Sequence, residues 1–393
     1  MHKAVFVGAA RTPIGSFLGA LSQEPAVALG AVAIKGALKR SGVDYKSVDE
    51  VIMGQVLQAG VGQAPARQAA LGAGLSASVP CTTVNKVCGS GLKAIMMACQ
   101  SVALGEAKVV VAGGMESMSN APYALYKARA GLRMGDSQLV DLMIRDGLFD
   151  PYGQAHMGKF GDLCASEHGF SREEQDLFAK SSYEKALSAQ SLGYFSEEIE
   201  AVNINTKAGT QSISEDEDPA KYQPQKMALL KPSFASDGSV TAANASKVSD
   251  GAAALVLACE EEALNKKLNI RGRVLASYTY AGEPQWFTTA PTEAIRGLLK
   301  KVSLGVQDID CFEINEAFSV LPLHAIRELK LDAQRVNMFG GAVALGHPIG
   351  CSGARLMVTM LNIMEKKGLK RGLAALCLGG GEAVAMIVES VKS

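Results

Sequence analysis

No surplus of either charge is present, because 39 basic and 39 acidic residues cancel. Without a field of one sign to steer nucleic acid, a nucleic-acid role is disfavoured, although local basic patches remain available to a phosphorylated ligand. None of the eight cysteines forms a C-x-x-C pair or a Cys/His cluster of zinc-finger spacing, which argues against a structural metal site. The chain is too long for a disulfide-stapled secreted scaffold, so free thiols in a reducing cytosol are expected. No apolar run approaches the roughly eighteen residues of a membrane span. The start, Met1-His-Lys followed by Ala4–Gly8, is too short for a secretory h-region, and the closing Val391-Lys-Ser393 is no peroxisomal tripeptide. These absences point to a cytoplasmic protein without a membrane partner.

What remains is a long, ordinary globular composition. With 393 residues, 48% apolar and 20% charged, the chain can bury a large core in two or three domains. Glycine is enriched at 41 residues, many in pairs or triples, which predicts tight turns and close approach of backbone to ligand. Short apolar strands are predicted over 4–7, 48–53 and 108–112, with Gly113-Gly114 closing the last. Helices are predicted over 24–41 and 89–104. The alternation repeats as strands over 273–278, 311–314 and 373–378 and helices over 292–302 and 352–366, which reads as α/β. Cys88-Gly-Ser-Gly-Leu-Lys aligns with Gly350-Cys-Ser-Gly-Ala-Arg, and Val111-Ala-Gly-Gly with Cys377-Leu-Gly-Gly, at offsets of 262 and 266. Near-equal offsets suggest two similar halves. The stretch from Ser119 to Ala245 is polar and loop-rich, with one clear helix over 171–190 opened by the capping pattern Ser171-Arg-Glu-Glu174.

Three Gly-flanked segments carry candidate chemistry. Cys88, between a strand-like stretch and a helix start, is placed for a lowered thiol pKa, with Gly89 and Gly91 freeing backbone amides for an oxyanion; the alternative is a buried structural cysteine. His347, in Gly346-His-Pro-Ile-Gly350, sits on a rigid turn and offers a near-neutral base; the alternative is a loop histidine bonded to a carbonyl. Cys351 reads as packing. Cys377 ends an apolar strand before Gly379-Gly-Gly381, at the kind of strand terminus where α/β sheets hold ligands; the alternative is a small apolar strand end. Asn315, in Asn-Glu-Ala-Phe318, is an amide that holds a water or an oxyanion, caps the following helix, or does both.

Together these segments make the chain resemble the thiolases, and among them the biosynthetic acetyl-CoA acetyltransferases, from about Arg11 to Met386. The resemblance implies two duplicated αβα halves in a five-layered αβαβα core with an inserted loop domain. The corresponding division is 1–118 plus 246–270, 119–245 and 271–393. It implies ping-pong acyl transfer: Cys88 is acylated, His347 activates it, and Cys377 deprotonates the second acetyl-CoA. One oxyanion hole is made by His347 and a water on Asn315, another by the amides of Cys88 and Gly379. Two acetyl-CoA give acetoacetyl-CoA and CoA, reversibly, with no further cofactor. His156 and Met157 match a short-chain acyl pocket, Ser246 a pantetheine contact, and Leu148, Phe234, Ala317 and Phe318 the CoA channel. Phe287 stands in the variable acyl-pocket loop, where Thr288 departs from the branched-chain type. Glu382 follows the triple glycine, either raising the Cys377 pKa or facing away. Lys221, Lys226 and Lys231 are candidates for CoA phosphates, or are merely solvated. A homotetramer, a dimer of dimers with a contact around 123–133, is implied. The other reading is a degradative 3-ketoacyl-CoA thiolase of broad chain length, which His156-Met157 disfavours.

Overall fold

Alternating side chains sort the strands into layers. In the computed structural model, which describes residues 2–207 and 209–391, the principal strands are β1 (Ala4–Arg11), β2 (Glu50–Gly54), β3 (Cys81–Val84), β4 (Val109–Ser117), β5 (Ser249–Cys259), β6 (Gly272–Ala281), β7 (Cys311–Ile314), β8 (Arg371–Leu378) and β9 (Glu382–Glu389). The principal helices are α1 (Ala26–Ser41), α2 (Pro65–Gly72), α3 (Ser90–Leu104), α4 (Met157–His168), α5 (Arg172–Ser191), α6 (Ala290–Val302), α7 (Val320–Leu329) and α8 (Ile349–Lys367). Of the C-terminal tripeptide considered above, Lys392 and Ser393 lie outside the described residues.

The hydrogen-bonded path runs β7-β8-β9-β6-β1-β5-β4-β2-β3. Its two halves repeat one another. β4 and β8 each pair in parallel with β2 or β7, and antiparallel with β5 or β9. β5 and β9 then pair antiparallel with β1 and β6. The halves meet at a short antiparallel junction, Val5↔Arg273 and Phe6↔Gly272. Period-two burial on these strands makes five layers. Val5, Val7, Val109 and Val111 pack outward under α1 and α2. Phe6, Val110 and Ala112 face inward to α3 and α8, and so do Ala374, Leu376, Val384 and Met386 from the other half. Leu373, Ala375, Ala383 and Ala385 close the far side under α6.

The repeat suggested by Cys88-Gly-Ser-Gly and Gly350-Cys-Ser-Gly therefore falls on the two central helices. A Cβ on Gly91 would lie 2.8 Å from Ala354 N, and one on Gly353 would lie 2.5 Å from Leu92 N. The paired glycines let α3 and α8 cross in contact.

Two expectations need correction. Gly113-Gly114 does not close a strand, since β4 runs on to Ser117. A Cβ at Gly113 would meet Ala253 O at 2.1 Å and one at Gly114 would meet Gly350 O at 2.1 Å. These glycines serve close packing inside the strand rather than a turn. Residues 87–104 also form a stretch long and apolar enough to cross a membrane. It contains α3, whose apolar residues fill the central layer.

Between β4 and β5 the chain leaves the core. It forms short paired strands at 123–125 with 139–141, 149–150 with 155–156, and 202–206 with 209–213. It also contains α4 and α5. Helix α5 opens on the predicted capping box, Ser171 with Glu174. Buried Arg11 in β1 anchors the excursion by bonding Glu198 and, through both terminal nitrogens, Asp216.

Candidate active site

The chain reaches Cys88 through a strained turn. Val87 has φ 46°, uncommon for a β-branched residue, and Gly89 caps α3 two residues later. Ser90 Oγ donates to Val87 O at 2.6 Å and accepts from Lys86 N at 2.8 Å, fixing the turn. The expected lowering of the thiol pKa does not occur. Burial pushes Cys88 up to about 12. Hydrogen bonds from the amides of Cys88 and Gly379 pull it down, and the Glu116 carboxylate adds to the rise. Desolvation outweighs the helix terminus, so the resting group is a thiol.

The Gly379 amide on Cys88 brings two distant motifs together. Cys377 lies at the end of β8, and burial first and the Cys88 sulfur second push it well above the usual thiol range. A Cβ on Gly89 would strike Leu378 at 2.4 Å, and one on Gly379 would touch both Val87 and Met157 at 3.6 Å. Glu382 pairs with Lys86 Nζ at 2.5 Å.

His347 is buried. Its amide donates to Lys247 O at 3.0 Å, and its Nδ1 lies 2.5 Å from Ser352 Oγ. Ser352 Oγ spends its proton on Pro348 O at 3.0 Å, so Nδ1 carries the hydrogen that Ser352 accepts. Nε2 is then the lone-pair nitrogen, and Asn315 Nδ2 approaches it at 3.4 Å. Burial, reinforced by the charge of Arg355, lowers His347 to about 3. The near-neutral imidazole expected from sequence is corrected to one that stays neutral throughout the physiological range. Asn315 does not cap a helix, because the cap of α7 is Ser319. Its buried Oδ1 has no protein partner.

A cavity of about 240 Å³ opens beside His347, lined by Leu148, His156, Met157, Phe234, Ser246, Lys247 and Phe318 among others, while Cys88, Cys377 and Asn315 are not part of its lining. Larger surface grooves exist, one of about 740 Å³ around Arg271 and Glu365, but none of the chemically expected residues lines that groove. Two apolar clusters form the cavity's surroundings. Cys377 packs with Phe287, Ala317, Phe318, Met157 and Phe234, and Cys88 with Leu148, Met118 and Ile349. Phe287 and Ala317 stand behind the wall; Phe287 meets Phe160 and Phe318 edge-on. His156 stacks on Phe234 at 4.7 Å and accepts Gly158 N at 3.2 Å, so it also caps α4. Ser246 N donates to Ala317 O at 3.0 Å. Lys221 pairs with Glu217 at 2.9 Å, which occupies its charge.

Sequence reasoning missed Ser352, Glu116, Glu316 and Lys247. Glu116 accepts the amides of Val56, Leu57 and Gly350. Glu316 accepts Ser182 Oγ, Asn337 Nδ2 and Val343 N, tying Asn315's neighbour to the segment before His347. Buried carboxylates leave no periodic trace, but Ser352 lies in the repeat already aligned, five residues after His347, and its hydroxyl was a readable signal.

Residues 4–261 match the thiolase N-terminal domain and residues 249–390 the thiolase C-terminal domain. The chain is 50% identical to acetyl-CoA acetyltransferase 1 of Arabidopsis thaliana, covering 98% of this chain and 93% of that protein. It is 46% identical to the cytosolic acetyl-CoA acetyltransferase ERG10 of Gibberella zeae, over 98% of each. Its structure superposes on the crystal structure of the Bacillus anthracis acetyl-CoA acetyltransferase with TM-score 0.97 at 41% identity, covering 100% of this chain and 99% of that one.

Proposed function

This chain belongs to the thiolase family, and within it we propose that the protein is an acetyl-CoA C-acetyltransferase joining two acetyl-CoA into acetoacetyl-CoA and CoA. The observation that carries the site assignment is the packing of the Cys88 turn against the end of β8, where a Cβ on Gly89 would lie 2.4 Å from Leu378 and one on Gly379 would lie 3.6 Å from Val87. It supports a single reaction centre built from both halves of the fold.

In this reading the first acetyl-CoA enters the cavity and Cys88 attacks its thioester carbon. A thiol near 12 and an imidazole near 3 do not form an ion pair at rest. The proton therefore passes to His347 Nε2 as the carbon–sulfur bond forms, and no isolated thiolate is needed. His347 then carries an Nε2–H which, with a water held by Asn315, binds the developing oxyanion; the unpartnered Asn315 Oδ1 supports that water. As CoA leaves, its sulfur takes the proton of the Cys377 thiol, which leaves Cys377 as the thiolate while His347 keeps the proton from Cys88. Cys377 next takes a proton from the methyl carbon of the second acetyl-CoA, and that carbon attacks the acetyl group on Cys88. The amides of Cys88 and Gly379 bind this second oxyanion, and as it collapses the Cys88 sulfur leaves and takes back the proton held by His347, which returns both cysteines to thiols. The reverse is thiolysis. His156, Met157 and Phe234 bound the acyl end, Leu148 and Phe318 the channel, and Ser246 the pantetheine arm, with Phe287 and Ala317 supporting that wall. CoA is substrate and product, and no other cofactor takes part.

The apolar side chains exposed over 123–139 support a tetramer contact, and the free outer edge of β3, four residues before Cys88, supports a dimer contact. The cytosolic relative supports a cytosolic place for this protein. The division into 1–118 plus 246–270, 119–245 and 271–393 follows the same reading, because β5 returns to the first half's sheet.

Intact-mass spectrometry tests the assignment. Wild type incubated with acetyl-CoA should gain one acetyl group. Cys88→Ala should gain none, and Cys377→Ala should acetylate but fail to condense. Acetylation of the Cys88→Ala protein at the site would refute the nucleophile.

A further inference from the structure

The reaction scheme leaves Lys247 without a task, although its two ends act on the site. Its carbonyl accepts the amide of His347 at 3.0 Å. Its ammonium turns back to donate to the carbonyls of Ala242 and, at 3.1 Å, Ala245, closing the turn that presents Ser246. Ser246, Lys247 and Val248 line the cavity together with His347. The ammonium also stands 5.9 Å from the centre of the Tyr183 ring of α5.

A cation here carries a cost. Burial lowers the Lys247 ammonium to about 8, with Asp218 pulling the other way. Between about 8 and the ordinary lysine value the fold binds fewer protons than the unfolded chain, so keeping the charge below pH 8 works against folding. The groups facing it are Asp218, Tyr183 and, through the backbone, His347. Asp218 is shared with Lys221 at 3.5 Å. A desolvated charge with no salt bridge among the described residues, set in the wall of the cavity beside His347, is better explained by function than by packing.

We propose that Lys247 is a positioning residue for the acyl-CoA substrate: its side chain clamps the 242–246 turn so that Ser246 meets the substrate arm, while its carbonyl sets the height of His347. This rests on the thiolase reading above. The clamp is strongest when Lys247 is protonated, because charge-assisted hydrogen bonds exceed neutral ones.

Steady-state thiolysis of acetoacetyl-CoA by the full-length enzyme, Lys247→Met and Lys247→Arg, across neutral to alkaline pH, tests this. The Met variant should raise KM about tenfold with kcat nearly unchanged, the pattern of lost ground-state binding. Wild-type KM should climb as pH passes about 8, whereas the Arg variant, which does not lose its proton, should hold a flat KM. An unchanged KM in the Met variant, or parallel climbs in wild type and the Arg variant, overturns the inference. Should the Met variant fail to give a cooperative melt, the comparison of Arg with wild type decides alone. Acetylation of wild-type Cys88 is measured alongside. Its absence removes the thiolase reading itself; its presence with an unmoved KM removes only the role of Lys247.

Discussion

In the proposed chemistry Cys88 and His347 are both neutral at rest, a thiol and an imidazole rather than a preformed ion pair. His347 owes its depressed basicity to burial and Arg355, and its orientation to Ser352. Replacing Ser352 by Ala removes the acceptor that fixes Nδ1–H, lets the ring take the other tautomer, and leaves a buried donor unpaired. Acetyl-enzyme formation, followed by rapid quench, should slow by roughly ten- to a hundredfold. The pH dependence is equally specific. Because His347 falls to about 3, its lone pair stays available on mild acidification. Acylation should therefore hold its rate from about pH 8 down to about pH 5 rather than titrate at the ordinary histidine value of about 6.5. An acid limb centred there, abolished with the imidazole, would contradict the burial argument. The stability effect has the same sign. The unfolded chain binds the proton more readily, so the contribution of neutral His347 is complete above about pH 6.5 and is lost as pH falls towards 3. At this scale the sequence marked the glycine-flanked turns and misled for protonation. Gly-flanked Cys88, His347 and Cys377 were visible because backbone room is written locally. Their pKa values are set by whatever buries them, and that comes from both halves of the chain.

Elements were most legible where local chemistry decides them. The capping box before α5 gave its start to the residue, and Gly42 in left-handed conformation ends α1 as expected. Strand β4 was misread because glycine signals either a turn or a close neighbour, and only the register with β5 tells which. The crossing of α3 over α8 is the same effect in a helix. Gly353→Ala should push α8 away from Leu92 and lower stability by about 1–3 kcal/mol, read as a fall in Tm. Since Gly91 faces Ala354 across the same contact, Gly91→Ala with Gly353→Ala should fall short of additivity. Additive losses would show that the two glycines do not share one crossing point.

At the scale of the whole molecule, the duplicated fold explains why the reactive groups are so far apart in sequence. Each half starts its central helix just after one of these residues, α3 after Cys88 and α8 after His347, and β8 ends against the Cys88 turn, where a Cβ on Gly89 would lie 2.4 Å from Leu378. The excursion between β4 and β5 then closes the cavity with His156, Met157 and Phe234. What the single chain does not cover is the far end of that excursion, where Tyr123, Tyr126, Leu132 and Leu139 are exposed and Met134 is 98% exposed. Apolar side chains grouped on one loop fit the proposed tetramer contact, and the outer edge of β3, unpaired among the described residues, fits a second, independent one. Introducing charge at the loop should break one interface and spare the other. In the proposed tetramer, Met134→Glu with Leu139→Glu is expected to shift the mass in light scattering from tetramer to dimer, while acetylation of Cys88 persists because Cys88 lies just before α3 rather than on this loop. A tetramer that survives both substitutions would move the contact elsewhere. A fall straight to monomer would mean that the loop, and not the edge of β3, holds both pairs together.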